Sequence, residues 1–214
     1  MSKTRILLVD DHAVVRAGYR LLLSQTPGLE VAGEAERGEV ACGIYSDLQP
    51  DVVVMDLSMP GIGGVATIAR LRARDAHARI LVFSVHDELV YVARALEAGA
   101  KGYISKSSAP DILVEAVRRI AVGQPYIEPE IAQRLALSKA TGNDAMSVLN
   151  SLSAREFDIF CLLARGYTTR EVAEELRLGL KTVSNYATLV KNKLSLSTSA
   201  EMARLAYQIG LIKH

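Results

Sequence analysis

Paired cysteines are missing from this chain of 214 residues. It has two, Cys42 and Cys161, far apart and with neither metal-type spacing nor a disulfide framework, so two inert thiols in a reducing compartment are expected. Long apolar runs are missing as well. The first, Ile6 to Val9, ends at two acids and is too short for a signal-peptide core or a membrane span, which makes a cytoplasmic protein outside any membrane the expectation. There is no internal repeat, no low-complexity tract and no dominant charge: 25 Lys and Arg against 24 Asp and Glu leave a formal net charge of +1. Half the residues are hydrophobic (50%), enough for a substantial core in one large or two small domains. The near-neutral total hides an asymmetry. Residues 147–214 hold nine Lys or Arg against six acids, a balance of +3, whereas the remainder holds 16 against 18, a balance of −2. An acidic front and a basic back suit partners of opposite sign, a cation and a polyanion.

From residue 1 to 122, short apolar runs alternate with segments of helical spacing. Arg5 to Val9 reads as a buried strand, and Val14, Val15, Tyr19, Leu22 and Leu23 follow on one helical face until Thr26-Pro27-Gly28 stops it. Leu29 to Ala35 is a second strand, and Glu39 to Ser46 a weaker helix that Gln49-Pro50 ends. Val52 to Met55 is a third strand, with a helix after Gly63-Gly64 over Val65, Ile68, Ala69 and Leu71. Arg79 to Ser84 is the fourth, with a helix on Leu89, Val92, Ala93 and Leu96. Gly102 to Ser105 is a short fifth, and Pro110 opens a helix on Leu113, Ala116, Val117 and Ile120. Five strand-then-helix units predict an α/β domain with a doubly wound parallel sheet and right-handed crossovers.

Residues 123–147 read as a linker: Gly123-Gln124-Pro125, a short helical piece from Glu130 to Leu137, then the polar Ser138 to Asp144. Residues 148–214 carry only helical patterns. Ser153 with Glu156, and Thr168 with Glu171, have capping-box spacing and start two helices. After the tight turn Leu178-Gly179-Leu180, a third helix holds Val183, Tyr186, Ala187, Val190 and Leu194, and a fourth from Ser199 buries Met202, Leu205, Ala206 and Ile209.

The third strand runs straight into Asp56, with Pro60-Gly61 forcing a turn soon after. If the strands are ordered 2-1-3-4-5, strands one and three are neighbours at the switch point, and Asp10, Asp11 and Asp56 converge at the carboxyl edge where open α/β sheets bind ligands. Like charges that close oppose one another's ionisation, and a hard cation such as Mg²⁺ relieves the repulsion. Ser84 ends strand four and Lys106 follows strand five, bringing a hydroxyl and an ammonium to the same edge. A carboxylate nucleophile, a metal, a cation and a hydrogen-bond donor are what phosphoryl transfer requires. His12, beside an all-oxygen cluster that suits a hard ion, reads as a loop residue.

The order Asp10-Asp11, Asp56, Ser84, Lys106 resembles the receiver domain of two-component response regulators across residues 1–122. The resemblance implies a flavodoxin-like (βα)5 fold in which Asp56 accepts a phosphoryl group from the phosphohistidine of a sensor histidine kinase. It implies that Asp11 and Asp56 bind Mg²⁺, with Asp10 nearby and the Ser58 backbone carbonyl as a further ligand. Ser84 is then the switch hydroxyl, Tyr103 the aromatic that follows it, and Lys106 the phosphate-pairing cation. Many receivers place Pro after this lysine; here Ser107 follows, so a cis-proline loop is not supported.

In the tail there is no acid from Arg177 to Ala200, while Arg177, Lys181, Lys191 and Lys193 are basic, and phosphates are the natural counterpart. Two capped helices and a tight turn present the next helix as a helix-turn-helix does. Leu180-Lys181-Thr182-Val183 with Tyr186, Val190, Lys193 and Leu194 resembles the LuxR-type helix-turn-helix of the NarL/FixJ class, across residues 148–214. That resemblance implies double-stranded DNA as partner, with Lys181 and Thr182 on the backbone, Ser184, Asn185 and Thr188 towards base edges, and Lys191 and Lys193 on phosphates. Thr169 and Arg170, at the start of the second helix, complete the DNA-binding set. Gly179 stands where the family usually has a capping Ser, and the base-facing side chains are short and uncharged.

Both resemblances together imply a transcription regulator rather than an enzyme, with phosphorylation freeing the tail and favouring a homodimer on paired half-sites, and RNA polymerase as a further partner. Other readings stay open on the residues alone. The acids also suit a Mg²⁺-dependent aspartyl phosphatase or phosphotransferase, although the position two after the nucleophile, commonly a second acid there, is Ser58. A receiver that signals through protein contacts without phosphate, and a tail that docks protein, are the others.

Overall fold

A computed structural model describes residues 3–140, 148–149 and 151–212. Residues 141–147, the polar end of the expected linker, lie outside the described residues. The chain divides into two compact units, Met1–Asp87 with Tyr91–Gln133, and Glu88–Val90 with Arg134–His214.

The first unit is a parallel sheet with helical crossovers. Its strands are β1 (Thr4–Val9), β2 (Leu29–Ala35), β3 (Val52–Met55), β4 (Ile80–Ser84), β5 (Gly102–Ser105) and β6 (Tyr126–Ile127), ordered β2-β1-β3-β4-β5-β6. The crossovers are α1 (Ala13–Gln25), α2 (Gly38–Leu48), α3 (Gly63–Arg74), α4 (Leu89–Glu97) and α5 (Pro110–Ala121). β3, β4 and β5 are buried along their whole length, which is why they read as unbroken apolar runs rather than alternating ones. On one face Ile6, Leu8, Val54, Leu81, Phe83 and Ile104 pack against Leu113, Ala116, Val117 and Ile120 of α5, each of these side chains except that of Ala116 contributing about 1.5–3 kcal/mol.

Two differences from the sequence reading have local causes. Val14, expected on the apolar face of α1, is 87% exposed, while Leu23 of the same expected face is buried. The sheet also has a sixth strand, drawn from the segment expected as linker. Tyr126 N–H donates to the Lys101 carbonyl and Glu128 N–H to the Tyr103 carbonyl, at 3.2 and 3.0 Å. This approach depends on Gly102, where a Cβ would stand 2.6 Å from the Tyr126 carbonyl oxygen. The helix that follows, α6 (Pro129–Ala140), begins and ends beyond the expected 130–137, with Pro129 preset for its first turn.

The second unit holds α7 (Ala154–Ala164), α8 (Thr169–Glu175), α9 (Leu180–Lys193) and α10 (Ser199–Gln208), with α7 packed on α9 and α10. The two expected capping boxes are present, at Ser153 with Glu156 and Thr168 with Glu171. A third, Thr198 with Glu201, starts α10 and was legible in the same spacing. Gly179 is the N-cap of α9 and offers no side-chain cap. Its backbone is ordinary (φ −69°); the left-handed residue of the turn is Arg177, at φ 51°. Cys42 and Cys161 are both buried. Among the described residues, no helix is long and apolar enough to cross a membrane.

Glu156 does more than cap. It is buried, accepts from Ser153 N–H at 2.7 Å and from Lys193 Nζ at 2.7 Å, and Lys193 Nζ also donates to the Ser151 carbonyl at 3.1 Å. Lys193 thus fastens the end of α9 to the start of α7. Burial pushes the Glu156 carboxyl upwards, but the bonds from Lys193 and Ser153 outweigh it and leave the group below its ordinary 4.5.

Four outcomes follow from this packing. Gly64→Ala puts a Cβ 2.3 Å from the Asp56 carbonyl oxygen and 2.5 Å from the Leu57 Cα, backbone on both sides, and should cost about 1–3 kcal/mol in urea unfolding. Gly18→Ala, in α1 with open space around it, should stabilise by about 0.5–1 kcal/mol in the same assay. Because the folded Glu156 value lies below the unfolded one, its stabilisation is complete above about pH 4.5 and is lost as pH falls through the lower folded value. Helical signal against pH should therefore fall less steeply in Glu156→Gln; with Lys193 40% exposed and partly screened, Lys193→Met should cost only about 1 kcal/mol.

Candidate functional site

Sheet register brings the acids together. β1 and β3 pair up to Val9 opposite Met55, so the next residues, Asp10 and Asp56, emerge side by side, and Asp56 N–H donates to the Val9 carbonyl at 2.9 Å. β4 and β5 pair up to Ser84 opposite Ser105, and Lys106 N–H donates to the Ser84 carbonyl at 2.8 Å. Four strand ends thus meet at the switch point between β1 and β3.

Lys106 Nζ lies between the buried carboxylates, donating to Asp10 Oδ2 at 2.6 Å and to Asp56 Oδ2 at 2.7 Å. The remaining oxygens are held by backbone: His12 N–H donates to Asp10 Oδ1 at 2.8 Å, and Ser58 N–H to Asp56 Oδ1 at 3.3 Å. Asp11 differs. Its Oδ1 is buried and accepts no hydrogen bond, although His12 Nδ1 stands 3.0 Å away.

The charges are unequal. Burial raises the Asp56 carboxyl above its ordinary value, with the neighbouring Asp10 adding to the rise, and the Lys106 contacts only partly offset it. Burial lowers the Lys106 ammonium, but Asp56 and Asp10 together raise it further, so its net displacement is upwards. One cation faces two anions, while each anion has only a share of the cation and a like charge beside it. With Asp11 included, three carboxylates surround one ammonium.

Ligand atoms of Asp10, Asp11, His12 and Asp56 lie within 4.8 Å of one another. Opposite oxygens of an octahedral shell with bonds of about 2.1 Å are about 4.2 Å apart, so the cluster is close to the size of one small hard cation. The unpartnered Asp11 oxygen and the excess negative charge both suit such an ion. His12 is exposed and its ring lies against Asp11, in the loop position expected of it.

Ser84 is fully buried at the end of β4, and its Oγ accepts from His86 N–H at 3.3 Å. Tyr103 is fully buried too, and its hydroxyl donates to the His86 carbonyl at 2.7 Å. His86 was not singled out by the sequence, yet besides Ser84 and Tyr103 it joins two more residues: its ring stacks on Tyr91 at 4.0 Å, and its Nε2 shares a hydrogen bond of 2.8 Å with Ser58 Oγ. Its place two residues after Ser84 is the one signal that could have found it. Without a proline, the loop after β5 is held by serines: Ser105 Oγ to Ser107 Oγ at 2.7 Å, and Ser107 N–H to Ser105 Oγ at 3.2 Å.

In the second unit, Lys181, Thr182, Ser184, Asn185 and Thr188 are all exposed on α9, opposite the buried Val183 and Val190. Ser184 and Thr188 spend their hydroxyl hydrogens on the carbonyls of Leu180 and Ser184, at 3.0 and 3.1 Å, which leaves their oxygens as acceptors. Arg170 is exposed, while Thr169 and Lys191 are half-buried. Lys193 is engaged with Glu156, so a phosphate has to compete for it.

Residues 6–118 match the response regulator receiver domain, and residues 150–206 match the luxR family of bacterial regulatory proteins. The transcriptional activator protein ExaE of Pseudomonas putida is 44% identical over 210 residues, covering 97% of this chain and 98% of that protein. The response regulator UvrY of Escherichia coli K12 is 40% identical over 206 residues, covering 96% and 94%. A crystal structure of a LuxR-family two-component response regulator from Aurantimonas sp. SI85-9A1 superposes with a TM-score of 0.63 at 44% identity, over 65% of this chain and 99% of that one. A chain matched in both halves and aligned along nearly its whole length with such relatives belongs to the response regulators, in the branch that joins a receiver domain to a LuxR-type helix-turn-helix domain.

Proposed function

We propose that the chain is a two-component transcription regulator in which a sensor histidine kinase phosphorylates Asp56 and thereby controls DNA binding. The observation that carries this is the Lys106 bridge across Asp10 and Asp56 at the carboxyl edge of the sheet. In the transfer, an Asp56 carboxylate oxygen attacks phosphorus, the P–N bond to the kinase imidazole breaks as the P–O bond forms, and the imidazole leaves with the electron pair. Lys106 is the cation beside the phosphoryl oxygens and Ser84 the hydroxyl that donates to one of them, with Tyr103 following it as the paired switch.

Mg²⁺ is the cation that Asp11, Asp56 and the Ser58 carbonyl would hold, with Asp10 beside them, and it would neutralise charge on the transferring group. Support comes from the unpartnered Asp11 oxygen and the three-to-one excess of carboxylate over ammonium. Ser58 bonded to His86, where a phosphatase commonly has its second acid, favours a regulator over an enzyme that turns over a small substrate.

The domain division we adopt is a receiver over residues 1–122, a linker over 123–147 whose first residues add β6 to the receiver sheet, and a DNA-binding domain over 148–214. On α9, Ser184, Asn185 and Thr188 face base edges, while Lys181, Thr182 and Lys191 take phosphates, joined by Thr169 and Arg170; Lys193 joins them where its bond to Glu156 opens. Phosphorylation favours a homodimer on paired half-sites, RNA polymerase is the partner at the promoter, and the protein works in the cytoplasm.

Incubated with a radiolabelled small-molecule phosphodonor and Mg²⁺, the chain should take up acid-stable, base-labile label, and Asp56→Asn should take up none; label persisting in that variant would move the nucleophile elsewhere. Asp11→Asn should raise the Mg²⁺ concentration needed for labelling by about tenfold or more, read from a metal titration.

A further inference from the structure

We propose that Glu128 is a positioning residue that ties the Lys106 loop to the start of α6, so that occupancy of the Asp56 pocket is carried into the segment leading to the helix-turn-helix domain. The inference rests on the phosphorylation reading above. Glu128 lies just past β6, and its carboxylate spans the loop: Oε2 accepts from Ser105 N–H at 2.9 Å, and Oε1 from Ser108 Oγ at 2.7 Å. These two donors flank Lys106, whose ammonium bridges Asp10 and Asp56.

The backbone of Glu128 is fixed on both sides. Its N–H donates to the Tyr103 carbonyl, continuing the β5 to β6 ladder, and its carbonyl accepts from Ala132 N–H at 2.9 Å, the first turn of α6. The side chain then does what one more strand residue would: it takes the next free N–H of the sheet, that of Ser105. A single residue therefore bonds to β5, to both flanks of Lys106 and to the first turn of α6.

A phosphoryl group on Asp56 replaces the carboxylate oxygen that Lys106 now holds with oxygens farther from the strand end, so the ammonium and its loop must adjust. Charge-assisted bonds from Ser105 and Ser108 to a carboxylate are short and strong, and the adjustment passes to Glu128 rather than being absorbed by slack. Glu128 cannot move without α6, because its own carbonyl belongs to the helix. Coupling of this kind is established by measuring it, not by adjacency.

The test uses the full chain and a duplex selected from a random library by the beryllofluoride-loaded wild type. Wild type should gain about tenfold or more in DNA affinity on beryllofluoride loading, within the usual range for coupled sites, and amides 129–133 should change their hydrogen-exchange rates. Glu128→Ala should accept label from a small-molecule phosphodonor to the wild-type extent, yet keep less than about threefold of the affinity gain and show no exchange response in α6. Glu128→Gln, which can still accept from Ser105 N–H, should recover part of the gain, and Ser108→Ala, which leaves the linker untouched, should lose part of it. If Glu128→Ala retains both the full gain and the exchange response, the inference is wrong while the phosphorylation reading stands. Loss of labelling in Glu128→Ala would also overturn it, since the residue would then serve the pocket and not the transmission. A wild type that takes no label would instead sink the phosphorylation reading itself.

Discussion

Charge imbalance at one sheet edge is the constraint on which the rest of the receiver depends. Burying a carboxylate is costly unless it is paired, and this fold buries two side by side with a third against them. Lys106 offsets part of that cost through two bonds shorter than 2.8 Å, but one ammonium cannot neutralise three carboxylates. The resting pocket is therefore short of positive charge by construction. A pocket in that condition suits a small hard cation, whose candidate ligand atoms it gathers within 4.8 Å of one another.

The deficit is possible only because the rest of the sheet is rigid enough to impose it. β1 and β3 are locked in register by four opposed apolar pairs ending at Val9 and Met55, so Asp10 and Asp56 have no freedom to part. Gly64 lets the first turn of α3 lie directly against the backbone at Asp56 and Leu57, fixing the loop that holds Ser58 over the carboxylate. Apolar packing far from the pocket supplies the energy that holds like charges in contact, which is the ordinary way that functional sites are maintained against their own repulsion.

How much of this could be read from the chain depends on whether a residue acts locally or across the fold. β1, β3 and β4 were legible as apolar runs, since buried parallel strands need no alternation, and β2 and the short β5 as the strands that alternate with helical segments. Asp10, Asp11, Asp56, Ser84 and Lys106 were legible because each ends such a run. β6 was not: two residues after a proline carry no periodicity, and their pairing depends on the missing side chain of Gly102. The turn before α9 was placed at Leu178-Gly179-Leu180, and the left-handed residue lies just ahead of it, at Arg177, where Leu178 N–H closes back onto the Ala173 carbonyl of α8. Glu128 carried no signal in the spacing, and His86 only its place two residues after Ser84, since each works mainly through bonds to backbone or side chains 17 or more residues away.

The helical domain solves a different problem with its glutamates. A small unit cannot rely on core burial alone, and α7, α8 and α10 each begin with a capping box whose glutamate also sits favourably at the positive end of its helix. The exception is α9, which has neither a side-chain cap nor an acid in its first turn. Measured by stability alone, this is a defect, because a cap at Gly179 would fit: the nearest atom to a Cβ there is 3.5 Å away. The missing acid, as distinct from the missing cap, is what a polyanionic partner would favour, because a glutamate at the start of α9 would repel phosphates there. Among α7 to α10, the helix left open at its N-terminus is also the one that turns a face of Lys181, Thr182, Ser184, Asn185 and Thr188 to solvent. Its place against α7 is secured from the far end instead, by Lys193 on the buried Glu156, so that the anchoring charge and the exposed basic end lie at opposite ends of the same helix.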